Sequence, residues 1–421
     1  MTRMPIVRTF PLRKGSDLLG HLPPTAPLAW IHRGDGLVAW GETARISLPA
    51  EDDPRSVRRF TDAAQRLAEL FSTADIRDPV DLPGTGPVAF GGFTFDPRSA
   101  GSVLVIPRVI VGRRKGHAWI TTIGDDPYKH PEELLARVAP LPSVGPLSWS
   151  DGSLPASEWS AAVAAAVDRI RNGDLGKVVL ARDLHASSER GIDVRSVLAR
   201  LTADFPDCYT FCVDGMVGAT PELLLRREGD QVGSLVLAGT RPRGASQEDD
   251  DAFAAELLAS LKDAEEHRFA LDSLRETLSP LTSAIETTDR PRLLRLANVQ
   301  HLASPARATL RAGVSTLDVV AALHPTAAVG GTPTTTAMEL IRELEGMDRG
   351  RYAGPVGWID AHGNGEWGIA LRCGLIEGSR ARLFAGCGIV AGSDPEAELA
   401  EAEAKFRVMR TALTDPVDTR E

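Results

Sequence analysis

Apolar and polar positions along the 421 residues fall into two regimes. Through residues 1–150 the apolar positions come in short runs, at 37–40, 88–95 and 103–111, separated by Pro- and Gly-rich turns. These predict strands, with one helix over 52–71. The polar stretch 141–155 marks a boundary. Beyond it, helical and strand periods alternate. A helix is predicted from a Ser157 cap to Asn172, stopped by Gly173. A strand at 177–185, a helix at 193–203 and strands near 209–214, 221–227 and 231–238 follow. One long helical stretch covers 247–278. Strands at 293–297 and 299–310, a helix at 316–323, a loop at 324–332 and a helix at 333–345 come next. The strands 355–360 and 366–376 flank the turn AHGNG, a strand spans 382–391, and a last helix runs from 394 to about 413. Hairpins with interspersed helices predict an α+β fold with a mainly antiparallel sheet.

Charge and composition narrow the function. The chain carries 47 Lys and Arg against 57 Asp and Glu, a net charge of −10. That balance argues against nucleic acid or a membrane surface as partner. An anionic small molecule stays open, provided its site gathers cations. No apolar run approaches the roughly 20 residues of a membrane span. Arg3, Arg8, Arg13 and Lys14 have no apolar stretch behind them, so no secretory signal is expected and the protein is expected to be cytoplasmic. Cys208, Cys212, Cys373 and Cys387 fit no zinc spacing and are expected to be reduced, three of them within strand-like apolar runs.

Several residues invite a chemical reading beside a plainer one. Along 366–376 one face reads Trp367, Ile369, Leu371, Cys373, Leu375; the other reads Glu366, Gly368, Ala370, Arg372, Gly374. A guanidinium flanked by small residues leaves a volume that a carboxylate would fill through two hydrogen bonds. Gly386 and Gly388, two apart in the next strand, share one face and suit a ligand close to the backbone. The alternative is a bulge with a surface arginine. On the last helix, Glu398, Glu401 and Lys405 make a stripe that either holds a hard cation or is an ordinary surface pair. Lys177 at the mouth of an apolar strand is either a desolvated base or the wet end of an edge strand. Glu222, after a proline and beside three leucines, is either a buried acid with a raised pKa or a helix-turn residue. Glu266, His301, His324 and Tyr352 carry little weight in isolation. No Walker loop, HExxH or GxSxG is present.

Taken together, the segments resemble the chorismate-utilising enzymes, and within them the isochorismate synthases. The matching stretches are GKVVLARDL (176–184), GATPELLL (218–225), LAGTRPRG (237–244), KDAEEHRF (262–269), VQHLASP (299–305), HPTAAVGGTP (324–333), RGRYAGPVGWIDAHGNGEWGIALRCGLI (349–376) and AGCGIVAGSDPEAELAEAEAKF (385–406). They lie in order within 157–413, which the resemblance makes a chorismate-binding catalytic domain. PVAFGGFTFDP (87–97) makes residues 1–150 look like the N-terminal sheet of the same fold.

The resemblance implies large, mainly antiparallel sheets packed as a sandwich with helices outside, and Mg2+ as cofactor. Glu266 and Glu401, with Glu398 close by, would hold the metal and one substrate carboxylate. Arg372, Tyr352 and the backbone at Gly386 would grip the other, with Lys405 adding charge. Gly239 and Thr240 would contact the ring carboxylate. His301, Ala328 and Gly388 complete the implied substrate-binding set. Lys177 would activate a water for attack on ring C2, and Glu222 would protonate the departing C4 hydroxyl. Three readings follow: an isochorismate synthase, with menaquinone the expected destination; a salicylate synthase, with Ala328 and Val329 deciding release of the intermediate; and a chorismate-binding protein without turnover, which the complete set Lys177, Glu222, Glu266 and Glu401 disfavours. A siderophore pathway is the other destination, and a monomer is implied.

Overall fold

The computed structural model describes residues 5–12, 17–125, 131–135, 141–244, 246–288, 290–295 and 299–414. Among these, the strands form two large sheets, of thirteen and ten strands. Every pairing is antiparallel except that of Ile6–Leu12 with Asp75–Arg77. The centre of the larger sheet runs Lys177–Ser188, Arg380–Ile389, Cys373–Glu377, Met216–Thr220, Tyr209–Val213, Leu28–His32. The smaller runs Val299–Leu310, Gln231–Pro242, Leu223–Glu228, Gly365–Ile369, Pro355–Asp360, Val88–Gly92. Strands from the first 150 residues thus pair directly with later ones in both sheets: Thr210 with Ile31, Trp358 with Phe90.

The sheets face each other across an aromatic core. Trp30 of the larger sheet reaches the smaller, packing over Gly368 and donating from Nε1 to Glu366 Oε2 at 2.8 Å. Phe93 and Trp367 pack 5.6 Å apart, both fully buried. Each such ring stabilises the fold by about 2–3 kcal/mol. The helices lie against the sheets: Leu261–Leu278 on Gln231–Pro242, Val194–Asp204 on Met216–Thr220, and Pro395–Leu413 on Arg380–Ile389.

The chain changes sheet at points that read as unbroken runs. The run 103–111 divides into Ser102–Ile106 of the smaller sheet and Val109–Arg114 of the larger. Pro107, with no N–H for a ladder, stands at the break. Met216–Thr220 of the larger sheet is likewise parted from Leu223–Glu228 of the smaller at Pro221 and Glu222. The single strand expected over 366–376 is two: Gly365–Ile369 in the smaller sheet and Cys373–Glu377 in the larger. Between them Arg372 takes a left-handed φ of 48°. Simple alternation therefore does not set its direction. Glu366, expected on the same face, is instead buried against Trp30, Arg114 and Arg226, with ion pairs of 2.6 and 2.9 Å.

Helix boundaries also shift for identifiable reasons. The stretch 247–278 is two helices, Gln247–Ala259 and Leu261–Leu278, because the Ser260 hydroxyl turns to cap the second by accepting from Asp263 N–H at 3.1 Å. Ser157 lies inside the helix Ala156–Arg171, and Pro155 occupies the capping position. The first helix starts only at Arg58. All four cysteines are buried and free, as expected. Among the described residues no helix is long and apolar enough to cross a membrane.

Candidate active site

Two of the sheet-to-sheet crossovers lie side by side, and they carry two of the expected site residues. Ile369 N–H donates to the Glu222 carbonyl at 3.1 Å, and Ala219 N–H donates to the Arg372 carbonyl at 3.2 Å. Burial raises the Glu222 carboxyl to about 7, against the opposing pull of the Lys177 ammonium. Lys177 arrives from the larger sheet, at the first position of Lys177–Ser188, where it pairs with Thr332. Its side chain lies across the neighbouring strand at Gly388: a Cβ there would stand 2.9 Å from Lys177 Cε and 3.5 Å from Nζ. Glycine at 388 thus leaves room for the lysine, a role that spacing alone does not announce.

Arg372 is the most telling charge of the group. Burial pushes its pKa down, and among the described residues no carboxylate pairs with it. Its contact is a long one, 3.9 Å from Nη1 to Cys208 Sγ. A desolvated guanidinium without a counter-ion is costly unless an anion joins it. His301 lies close enough for burial and the Arg372 charge to push its imidazole down to about 4, so it is neutral and donates to the Gly239 carbonyl. Gly239 has a left-handed φ of 77° at a bulge in Gln231–Pro242, and a side chain there would press on Asp263 Cβ at 3.1 Å. Thr240 follows it opposite His301.

A second cluster lies along Arg380–Ile389. A side chain at Gly386 would stand 3.0 Å from the Tyr352 hydroxyl, and the Tyr352 ring stacks on Phe384 at 5.0 Å. The Gly386 carbonyl accepts from Lys405 Nζ at 2.7 Å, and the same ammonium pairs with Glu401 at 2.7 Å. Donor atoms of Glu398, Glu401 and Cys387 all lie within 4.8 Å of one another. Burial, helped by the Glu401 charge, raises the Glu398 carboxyl even though it accepts from Ser393 Oγ at 2.7 Å. Two crowded carboxylates, one reluctant to ionise, are a donor set that a hard divalent cation would relieve, so the residues fit Mg2+.

The structure therefore brings Lys177, Glu222, Gly388, Gly386, Tyr352, Lys405, Glu401, Glu398, Arg372, His301 and Gly239 into one linked group. Glu266 lies in Leu261–Leu278 and Thr240 in Gln231–Pro242, but the side chains of both fall outside the described ones. Ala328 is exposed, in a loop whose Gly330 carbonyl accepts Val179 N–H at 2.8 Å, beside the lysine strand. His324 is a core residue, bonded to the Phe95 carbonyl at 3.0 Å. The sequence reading passed over Phe384, Cys208 and Cys387. Phe384 sits two residues before Gly386 and so on its face, a signal period two does carry; nothing in the sequence links Cys208 to Arg372. Two surface cavities, of about 390 and 260 Å³, share no residue with this group.

Comparison with known proteins agrees with this geometry. The family model described as chorismate binding enzyme matches residues 31–414. This chain belongs to the chorismate-binding enzymes. Among such enzymes it is 37% identical over 354 residues to isochorismate synthase MenF of Bacillus subtilis, covering 78% of this chain and 75% of that one. It is 35% identical over 419 residues to the salicylate biosynthesis isochorismate synthase of Pseudomonas aeruginosa, covering 93% and 85%. The solved structure of the menaquinone-specific isochorismate synthase MenF of Escherichia coli superimposes with a TM-score of 0.79 at 26% identity, covering 98% and 96%. The α+β fold with two large sheets is that of a chorismate-binding enzyme throughout.

Proposed function

We propose that this chain is an isochorismate synthase, with menaquinone biosynthesis as the destination of its product. The observation that carries the reading is a buried carboxyl held at about 7 that feels the Lys177 charge, on a crossover adjoining that of a guanidinium with no carboxylate partner among the described residues. Lys177, in its neutral amine form, takes a proton from the water that attacks ring C2 of chorismate. The ring double bonds shift, and the C4 hydroxyl leaves with a proton from Glu222. One water enters and one leaves, so the reaction is an isomerisation and needs no oxidant. Arg372, Tyr352 and Lys405, with the backbone at Gly386, hold a carboxylate. Gly239, Thr240, His301 and Ala328 bound the ring, and Gly388 leaves the lysine its path. Glu266, Glu398 and Glu401 would hold Mg2+, which would supply positive charge to the substrate carboxylate. The menaquinone destination is supported by likeness to the Bacillus subtilis and Escherichia coli MenF proteins. A cytoplasmic monomer in which 1–150 completes the fold around a catalytic 157–413 belongs to the same proposal.

The test is to incubate the protein with chorismate and Mg2+ and separate the products by mass-resolved chromatography. Isochorismate alone, abolished by EDTA, is expected. Equal amounts of salicylate and pyruvate would instead make it a salicylate synthase. Chorismate recovered unchanged, although bound, would leave a binding protein.

A further inference from the structure

Arg349 and Glu345 form an ion pair with side chains 3% and 1% exposed. Arg349 Nε donates to Glu345 Oε2 at 2.9 Å, and Nη2 makes a second contact with Oε1. The rest of the guanidinium is directed at backbone: Nη1 donates to the Val329 carbonyl at 2.9 Å and Nη2 to the Val179 carbonyl at 2.7 Å. Glu345 Oε1 in turn accepts Ala181 N–H at 2.7 Å. Val179 and Ala181 follow Lys177 in its own strand, and Val329 belongs to the loop beside it. The guanidinium also lies over the Phe95 ring at 4.2 Å and 5.9 Å from the Tyr352 ring. The Arg349 carbonyl accepts Tyr352 N–H at 3.0 Å.

A buried ion pair is a poor source of cohesion, because apolar side chains of similar volume often stabilise as well or better. What it supplies is direction. The planar fork fixes two carbonyls and a carboxylate at once, and the carboxylate fixes an amide, so the strand and loop cannot slide past each other. We propose that Arg349 and Glu345 are positioning residues, which hold the start of the Lys177 strand and the 326–332 loop in the register that aims the Lys177 ammonium at Glu222. This rests on Lys177 and Glu222 being the base and acid proposed above.

Arg349→Lys keeps the charge opposite Glu345 but lacks the fork to reach Val179 and Val329 together. Its kcat is expected to fall about ten-fold through misalignment. Lys177 is the charge that holds the Glu222 carboxyl down, so its withdrawal should also move a limb of the pH profile. That limb, set by the titration of Glu222, is expected to move up by about half a pH unit or more. A smaller folded fraction lowers the whole profile and leaves the limb where it was. Glu345→Gln, which keeps an acceptor for Ala181 N–H, is measured alongside and should give the same upward shift, smaller. An unmoved limb in whichever variants fold, or wild-type kcat in Arg349→Lys, overturns the proposal. Failure of both to fold overturns it as well, since the pair would then be a requirement of the fold. Lys177→Ala in the same assay separates the two layers: if it keeps its turnover, the base assignment itself is wrong.

Discussion

The Lys177 side chain reaches diagonally to Gly388 of the neighbouring strand, which is paired with Val179, and Lys177 Cε lies 2.9 Å from the point where a Cβ at 388 would stand. The atom in the way is the end of a flexible chain, so a methyl group there displaces the ammonium and leaves the backbone alone. Gly388→Ala is therefore expected to keep Tm within about 2 °C of wild type. Its kcat should fall about ten-fold or more, as a displaced base loses its aligned attack. A melting curve and a steady-state assay on one preparation check both halves.

Glu222 sets a pH limit on turnover and on stability. Its carboxyl titrates near 7 when folded, against an ordinary 4.5. As a proton donor it must hold its proton while Lys177 has released its own, so a limb of the turnover profile should lie near pH 7. Below pH 4.5 the group is neutral in folded and unfolded chains alike and affects stability in neither direction. Between about 4.5 and 7 the unfolded carboxyl ionises while the folded one keeps its proton, so stability is lost across that window and the loss is complete above it. Glu222→Gln should abolish turnover and gain in Tm over wild type progressively between pH 5 and 8, which paired melts across that range would measure.

Arg372 combines a left-handed backbone with a guanidinium that has no carboxylate partner among the described residues. Arg372→Gly removes both costs, of which the backbone part is on the order of 1 kcal/mol. The variant is expected to melt higher than wild type. It should also bind chorismate about 100-fold more weakly, the value of a charge-assisted hydrogen-bonded pair. Calorimetric titration with chorismate decides it, and a variant that binds as wild type would remove Arg372 from the site.

Glu401 divides its charge between Lys405 and the crowded Glu398. Glu401→Gln relieves that crowding, so the metal-free protein should lose no stability. Affinity for Mg2+ in the presence of chorismate should fall about ten-fold or more, because a hard cation loses an anionic oxygen. Titration calorimetry with MgCl2 is the check; undiminished affinity would place the metal elsewhere.

Much of the candidate site's grouping was legible from residue order. Apolar periodicity located Lys177–Ser188, Val299–Leu310 and Thr316–Leu323, and the motif set singled out residues that the fold draws together from six separated segments. Alternation misled where the chain changes sheet. Trp367, Ile369 and Cys373 are all fully buried, so the run looks continuous although its two halves belong to different sheets. The strand Met216–Thr220 went unrecognised despite a local signal: Asp214 and Gly215 both take positive φ, the hairpin turn that an Asp-Gly pair favours. Ser260 reads as one more polar residue on a helix until its hydroxyl is seen to cap the next one. The Arg349–Glu345 pair had no signature, because both side chains act on backbone atoms far away in sequence.

The side-by-side crossovers have a consequence for how the protein comes to life. The Glu222 carbonyl waits for Ile369, Ala219 for Arg372, and the Lys177 strand for Arg380–Ile389. Local hairpins close early, whereas closures between such distant segments bear a larger entropic cost and come late. A refolding chain should therefore regain its sheet signal well before it regains turnover, and mild denaturant should silence it before the sheets are lost.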